Sequence, residues 1–240
     1  MTAKRKKSNQ RTEPLSEREA LADVWMFCVA GMETTGKIKA LVFFFLFTFF
    51  SCSAHTLGWL LLRLAFHQDV QSKLFAELSH MTEEQVADIS AESAPYLFAA
   101  VHEALRLHPP VTLVPLEVRK GLDMPVGSLR RVEPKTRMEI HLEMIHLNGR
   151  HFENPEVFQP ERFLKDGKFE HNPNIVAFNV GPRSCLGKSV AMLELAISAA
   201  VLVRSVKIEP VLSWERSSEW ITKVTREFRK PTPFKLLLRK

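Results

Sequence analysis

The sequence predicts a mainly α-helical fold with small β-sheets. Helices are indicated where apolar residues recur every three or four positions, as in Asp69–Ser79 and in the run after Gly187. Strands are indicated by short segments in which apolar and polar residues alternate, such as Arg137–Leu142. With 240 residues, 45% of them hydrophobic and 25% charged, the chain has the composition of a globular protein and the length of one large domain or two small ones.

The cysteines and the charge exclude several classes of protein. Cys28, Cys52 and Cys185 are odd in number and far apart, so neither a disulfide framework nor a structural zinc site is indicated, and a reducing compartment is favoured. The net charge of +6 includes a basic cluster at residues 4–7, which we assign to a disordered basic linker over residues 1–15. Without an accompanying array of aromatic and basic residues, no nucleic-acid partner is predicted.

A helix is predicted to begin near Ser16 and to lead into residues 30–35, Ala-Gly-Met-Glu-Thr-Thr. A glycine and adjacent threonines are poor residues for a helix interior. A threonine hydroxyl can instead bond to a carbonyl one turn earlier and open a kink that holds water. Glu33 beside Thr34 would then offer a route for protons, although the hexapeptide taken alone favours a plain helix with a threonine pair.

Residues 36–53 form a phenylalanine-rich segment that breaks the pattern. Its apolar part, residues 40–50, is shorter than the roughly 20 residues that a membrane-spanning helix needs. We interpret the segment as a retained intron and exclude it from the fold. Gly36-Lys37 can be encoded by a splice donor, and the phenylalanines by a pyrimidine tract. Splicing would keep the reading frame and join Thr35 to Ala54 in one continuous helix.

The elements that follow are predicted from periodicity and capping. Ala54–Phe66 and Asp69–Ser79 are helices, and Thr82 with Gln85 forms a capping box for a short helix that ends near Ser90. The next predicted helix is Tyr96–Leu107, and prolines stop it. The predicted strands are Val111–Arg119, Arg137–Leu142, Val206–Pro210 and Phe234–Leu238. The spacing of His141, His146 and His151 matches no common zinc pattern, so we interpret them as ordinary strand or loop histidines.

The segment Phe178–Gly187 places one cysteine in a loop directly before a helix. At a helix N-terminus the dipole and the free N–H groups favour a thiolate at Cys185, and Gly181 and Gly187 allow the backbone to approach a flat ligand. Such a loop suits a thiolate-ligated haem iron, whereas a lone cysteine is more commonly a buried structural residue. The apolar residues that predict the following helix share one face: Val190, Leu193, Ile197 and Val201.

Phe178, Gly181, Arg183, Cys185 and Gly187 have the spacing of the haem-binding signature F-x-x-G-x-R-x-C-x-G, so the chain resembles the cytochrome P-450 family of haem-thiolate monooxygenases. The resemblance implies the C-terminal portion of the cytochrome P-450 fold, from the oxygen-activation helix to the cysteine-loop helix. It also implies that Cys185 is the axial ligand of haem b and that Arg183 neutralises a haem propionate.

Other segments resemble motifs of the same family. Ala-Gly-Met-Glu-Thr-Thr matches A-G-x-[D/E]-T-T, which implies that Glu33 and Thr34 deliver protons to iron-bound dioxygen. Glu103 and Arg106 match E-x-x-R, a pair that Arg162 of the Pro-Glu-Arg-Phe motif would complete as buried structural support for the cysteine loop. Without the resemblance, an E-x-x-R pair is usually a surface ion pair that contributes less than about 1 kcal/mol.

The resemblance further implies insertion of one oxygen atom of dioxygen into a small, lipophilic organic substrate. The electrons would come from NADPH or NADH through a cytochrome P-450 reductase or a ferredoxin, and Arg119 could reach a haem propionate. The location would be the cytosolic face of the endoplasmic reticulum membrane, if an N-terminal half carries the usual anchor.

Family members are usually much longer than this chain, so we expect residues 16–240 to be the C-terminal part of a single domain that binds haem poorly by itself. The alternative is a non-catalytic truncated fragment or mis-annotated gene product. A haem-thiolate protein that rearranges peroxides without a reductase is a third reading, against which Glu33 and Thr34 argue. A membrane-anchored binding protein, with the phenylalanine-rich segment as its span, is a fourth.

Overall fold

A computed structural model describes residues 50–119, 122–126, 129–214, 220–222, 226–228 and 234–239. The chain divides into two compact units, Met1–Phe49 and Phe50–Lys240, and the described residues belong to the second. Glu33, Thr34, the helix expected from Ser16 and most of the phenylalanine-rich segment therefore lie outside the described residues.

Helices dominate the described part of the chain, as the sequence predicts. They are α1 (Phe50–Phe66), α2 (Gln68–Leu78), α3 (Glu83–Ala87), α4 (Pro95–Leu107), α5 (Leu142–His146) and α6 (Lys188–Ser205). Short 3-10 turns occur at Pro160–Phe163 and Gly181–Arg183. Helix α1 begins four residues before the predicted start at Ala54, so the last residues of the segment interpreted as an intron are helical. No helix in the described part is both long and apolar enough to cross a membrane.

The strands pair as small two-stranded antiparallel sheets among the described residues. They are β1 (Leu113–Glu117), β2 (Leu122–Val126), β3 (Leu129–Val132), β4 (Arg137–His141), β5 (Leu164–Lys165), β6 (Lys168–Phe169), β7 (Val206–Pro210), β8 (Trp220–Thr222), β9 (Arg226–Phe228) and β10 (Phe234–Leu238). The predicted strands pair with one another: β1 with β4, where Leu113 lies opposite His141, and β7 with β10, where Phe234 lies opposite Pro210. The mainly α fold class with small sheets is confirmed.

Helix α4 is the central helix of the described core. Nearly all of its residues are buried, and it packs against α1, α2 and α6. A helix that is buried on all sides is ordinarily apolar throughout. Glu103 and Arg106 are the exceptions in α4, because both side chains are 0% exposed. Such buried charges have to be paired and hydrogen-bonded.

Polar side chains of α2 hold neighbouring elements in place. The Glu77 carboxylate accepts the backbone N–H groups of Tyr96 and Leu97 at 2.8 and 2.9 Å, and so caps α4, whose own N-cap residue supplies no side-chain bond. The buried amide of Gln71 exchanges two hydrogen bonds with the backbone of Ile208, which fixes β7 on the helices. The predicted capping box of α3 is formed in both directions.

Helix α6 buries a different face from the one that the apolar spacing marks. Val190, Leu193 and Val201 are 57%, 44% and 48% exposed. The core contacts come instead from another set of residues: Met192, Leu195, Ala196, Ala199, Ala200 and Val203. The small alanines on that face allow α6 to approach the other helices closely, which apolar periodicity alone does not reveal.

Candidate functional site

The cysteine loop, Phe178–Gly187, is a compact turn closed by its own backbone. The Cys185 N–H donates to the Phe178 carbonyl at 2.8 Å, and the Ser184 N–H donates to the Gly181 carbonyl at 3.1 Å. Gly181 has a φ angle of +80°, a left-handed conformation that side chains with a Cβ rarely adopt. The glycine of the motif is therefore required by the conformation of the turn.

The loop presents the Cys185 thiol outward at the start of α6. Cys185 is a free cysteine with an exposed side chain, and α6 begins three residues later at Lys188. A Cβ atom added at Gly187 would lie 3.9 Å from the Cys185 sulfur, so glycine leaves the space beside the sulfur open. Leu186 is 82% exposed, and an apolar side chain therefore accompanies the thiol at the surface of the loop.

The residues of the loop fit a haem group. An exposed cysteine supplies the thiolate that can ligate haem iron, and the open space next to the sulfur gives access to a flat molecule. The Arg183 side chain is exposed on the same loop and can pair with a carboxylate. Arg119 is exposed just beyond β1, and within the described part of the chain no contact joins it to the loop.

Behind the loop, the structure brings Glu103 and Arg106 into a two-pronged ion pair. Arg106 Nε donates to Glu103 Oε2 at 2.7 Å, and Arg106 Nη2 donates to Glu103 Oε1 at 2.9 Å. Arg106 Nη1 donates to the carbonyls of His146 and Pro155 at 2.9 and 2.6 Å, and Nη2 also reaches the Val157 carbonyl at 3.3 Å. All five guanidinium N–H donors are therefore engaged, as a fully buried arginine requires.

Arg162 completes this network from the irregular segment Asn154–Leu164, here called the meander. Its Nε donates to Glu103 Oε1 at 3.0 Å, and the side chain is 11% exposed. The backbone N–H of Gln159 donates to the same carboxylate oxygen at 2.9 Å. The Arg162 guanidinium also donates to the carbonyls of Glu153, Asn154 and Val157. Glu103, Arg106 and Arg162 thus join α4 to the meander.

His146 links the network to the cysteine loop. The side chain is 0% exposed at the end of α5, and its backbone carbonyl accepts a bond from Arg106. Its Nε2 accepts the N–H of Val176 at 2.9 Å, two residues before Phe178. Hydrogen bonds therefore run continuously from Glu103 through Arg106 and His146 to the residue that leads into the loop.

His146 has to be neutral to make this bond, because a protonated imidazole has no lone pair to accept the Val176 N–H. Burial lowers the pKa of His146 to about 4, and the positive charge of Arg106 acts in the same direction. A backbone hydrogen bond with Arg106 raises the pKa of His146 and offsets part of this lowering. The ring is accordingly uncharged at neutral pH.

Sequence reasoning missed the role of His146, which the histidine spacing indicated to be an ordinary strand or loop residue. It is held by Arg106 of α4 and by the N–H of Val176, which are both distant from it in sequence. The structure brings together Glu103, Arg106 and Arg162, and it places the cysteine-loop residues in one turn. Arg119 takes part in none of these hydrogen bonds, and its role at a propionate stays a prediction.

The family model described as "Cytochrome P450" matches residues 36–228 of this chain. A "Probable cytochrome P450 4ac2" of Drosophila melanogaster is 34% identical over 171 residues, which cover 70% of this chain and 33% of the relative. A "Probable cytochrome P450 4s3" of the same organism is 36% identical over 167 residues, which cover 69% of this chain and 32% of the relative. "Thromboxane-A synthase" of Rattus norvegicus is 29% identical over 211 residues, covering 82% and 38%.

The chain therefore spans about a third of the length of these relatives. The matched range includes the cysteine loop and the Glu103, Arg106 and Arg162 network, whereas Glu33 and Thr34 precede it. It begins at residue 36 and so also includes the phenylalanine-rich segment. Since the match covers well over half of the sequence, the chain belongs to the cytochrome P450 family.

Proposed function

We propose that this chain supplies the haem-thiolate site of a monooxygenase, with Cys185 as the axial ligand of haem b. The observation that carries the proposal is the exposed Cys185 thiol, which a glycine-shaped turn presents at the start of α6. When bound there, haem supplies the activation of dioxygen that allows one oxygen atom to be inserted into an organic substrate.

In this proposal the residues of the cysteine loop bind and orient the haem. Gly187 keeps the space beside the Cys185 sulfur open, and Gly181 gives the turn its left-handed backbone. Arg183 pairs with a propionate carboxylate, and Arg119 is a second candidate for this role. Glu33 and Thr34 hold and pass protons toward the oxygen-binding side, as the family motif implies.

The network of Glu103, Arg106 and Arg162 has a positioning role. It anchors the meander to α4, and His146 extends the anchor to Val176 at the entry to the cysteine loop. A loop held at its base in this way presents the sulfur in one place, which lowers the entropy lost when a ligand binds. We propose that this is why the network matters for haem incorporation.

We propose that the electrons come from NADPH or NADH through a cytochrome P450 reductase or a ferredoxin, and that the substrate is a small lipophilic compound. The cytosolic face of the endoplasmic reticulum membrane is the corresponding location, if a preceding region supplies an anchor. Residues 16–240 would form the C-terminal part of one domain, with residues 36–53 as an insert. Membership of the family supports the electron source, the substrate class and the location, whereas the insert rests on the phenylalanine-rich composition of residues 36–53.

The second candidate is a non-catalytic chain that does not hold haem stably. The observation that favours it is the exposure of the loop, where Leu186 and Val180 are 82% and 63% exposed. Apolar side chains exposed beside a ligand site need a covering partner for tight binding. The described residues of the chain provide none over these two side chains.

Haem titration of the purified 240-residue chain, followed by reduction under carbon monoxide, separates the two candidates. We expect weak binding with a red-shifted Soret band that disappears in Cys185→Ser. The matched control is Cys52→Ser, because Cys52 is an exposed cysteine on α1 and should leave the band unchanged. A red-shifted band that survives in Cys185→Ser contradicts the assignment of Cys185. Absence of haem binding in every variant supports the non-catalytic chain, and tight binding refutes our expectation of weak binding.

A further inference from the structure

A cavity of about 220 Å³ lies between α4, the segment that leads into the cysteine loop and the first residue of α6. This volume is several times what one water molecule requires. Four side chains with nitrogen or oxygen atoms line it: His102, His171, Asn179 and Lys188. They come from separate parts of the chain, and none of them belongs to the haem-binding motif or to the Glu103 network.

His102 offers the cavity a hydrogen-bond acceptor. The residue is 6% exposed, and its Nδ1 lies 2.8 Å from the Phe98 carbonyl. Because a carbonyl can only accept, Nδ1 carries the proton of the neutral ring and Nε2 carries the lone pair. No hydrogen bond to Nε2 occurs among the described residues. Burial lowers the pKa of His102 to about 4, with smaller effects from His171 and Lys188, so the ring stays neutral at physiological pH.

Lys188 brings a positive charge to the same cavity. Its Nζ lies 6.0 Å from the centre of the Phe178 ring, which is another wall of the cavity. It lines the cavity together with His102 and His171, and burial and the charge of Lys188 both lower the pKa of these two rings. The two rings are 5.8 Å apart at their centres and nearly perpendicular. His171 and Lys188 are the titratable groups whose charge acts on His102.

An occupant of this cavity has to satisfy two opposite requirements. It has to donate a hydrogen bond to His102 Nε2, and it has to carry negative charge for Lys188. A metal ion can bind the Nε2 lone pair, but the residues that line the cavity include no carboxylate or thiolate, and Lys188 would repel a cation. Sulfate carries the charge but no proton at neutral pH. A phosphate group carries both a P–OH donor and charged oxygens.

We propose that this cavity binds a phosphate group, whose P–OH donates to His102 Nε2 and whose charged oxygens accept from Lys188. His171 and Asn179 are close enough to line the remaining sides of the group. Phe178 is shared with the cysteine loop, since its carbonyl accepts the Cys185 N–H. Occupancy therefore also stabilises the base of that loop. The proposal does not depend on haem binding.

The test is a titration of the 240-residue chain with inorganic phosphate at pH 7, followed by NMR of the histidine ring C–H signals. We expect saturable shifts of the His102 and His171 signals, and at least tenfold weaker binding of sulfate. Lys188→Gln changes an exposed side chain and should weaken phosphate binding at least tenfold without loss of folding. The matched control is Lys168→Gln, an exposed lysine of β6 that does not line the cavity.

A second variant, His102→Phe, keeps an aromatic ring beside Phe163 and Phe169 and removes the acceptor, so it should also abolish saturation. A further arm compares methyl phosphate with inorganic phosphate at about pH 5.5, where both keep a P–OH group. Tighter binding of methyl phosphate identifies a phosphate ester as the occupant, and weaker binding identifies the free ion. The proposal is overturned if phosphate and sulfate bind equally or if phosphate does not saturate. It is also overturned if Lys188→Gln binds phosphate like the unchanged chain, or if Zn²⁺ gives the only saturable shifts.

Discussion

Replacing Glu103 by glutamine tests whether the buried network holds the described core together. The carboxylate accepts four hydrogen bonds: two from Arg106, one from Arg162 and one from the backbone of Gln159. Glutamine has almost the same shape, but it has no charge and turns one acceptor into a donor. In one orientation the amide nitrogen of glutamine would face Arg106 Nε, which now donates to Oε2. In the other it would face the three N–H groups that now donate to Oε1, from Arg106 Nη2, Gln159 and Arg162. In both orientations Arg106 remains at 0% exposure without a counter-charge.

The expected loss is about 3–5 kcal/mol of unfolding free energy, because removing one partner leaves a buried charge without compensation. This is a large part of the roughly 5–15 kcal/mol that stabilises an ordinary domain. With a urea dependence of about 2 kcal/mol per molar, the midpoint of unfolding should fall by about 2 M. Urea titration monitored by circular dichroism measures this shift directly.

The matched control is Glu156→Gln, which removes the same charge from an exposed position of the same meander. Its effect should stay within about 0.5 kcal/mol. If Glu103→Gln lost less than about 1 kcal/mol, the network would contribute no more than a surface ion pair, and our explanation of the core would be wrong.

Further predictions concern pH and the turn. Since burial lowers the pKa of His146 to about 4, below the 6.5 of an unfolded histidine, its contribution to stability is complete above pH 6.5 and is lost as the pH falls toward 4. In thermal unfolding at a series of pH values, His146→Gln should lose about 3 kcal/mol less than the unchanged chain, while the buried His102, whose pKa burial also lowers to about 4, keeps its own contribution. The exposed His151→Gln is the control, and an unchanged pH dependence in His146→Gln would contradict the assignment. Gly181→Ala should lower the free energy of unfolding by about 1–2 kcal/mol, because Gly181 has a positive φ angle. Gly187→Ala should lower it by less than about 1 kcal/mol, because Gly187 has a φ angle of −80° and an added Cβ would make only an ordinary contact at 3.9 Å. Equal losses in thermal unfolding of the two glycine variants would show that backbone strain does not explain Gly181.

The features that the sequence predicts correctly are those that short stretches determine. The capping box of Thr82 and Gln85 and the proline-terminated helix around Glu103 each depend on residues a few positions apart. The sequence predicts strands β1 and β4 but not their pairing, because periodicity identifies strands and not their partners. Large apolar residues such as Leu193 lie on the exposed face of α6, although their spacing suggests a buried face. Small alanines on another face contribute to the contacts with the core.

The features that the sequence does not reveal depend on contacts between distant segments. His146 is separated from Arg106 by 40 residues and from Val176 by 30. Its spacing from other histidines carries no information about these contacts, which come from helix α4 and from the segment that leads into the cysteine loop. Arg119 is a case in which position in the sequence is the main support: the residue follows the E-x-x-R helix and is exposed just beyond β1, and its contact with a propionate stays a prediction.

The meander explains why charged side chains occupy a place in the core where apolar side chains of similar volume could stabilise the fold equally well. This segment is largely irregular, so the carbonyls of its first residues have no partner in a regular strand or helix. Arg106 and Arg162 donate to five backbone carbonyls: Asn154, Pro155 and Val157 in the meander, Glu153 just before it, and His146 at the end of α5. An apolar replacement of Arg106 would fill the volume but leave the carbonyls of His146 and Pro155 without these partners, at about 1–3 kcal/mol for each that water does not reach. Glu103 is then required to neutralise the arginines, so the E-x-x-R pair and the later arginine form one solution to the burial of irregular backbone behind the cysteine loop.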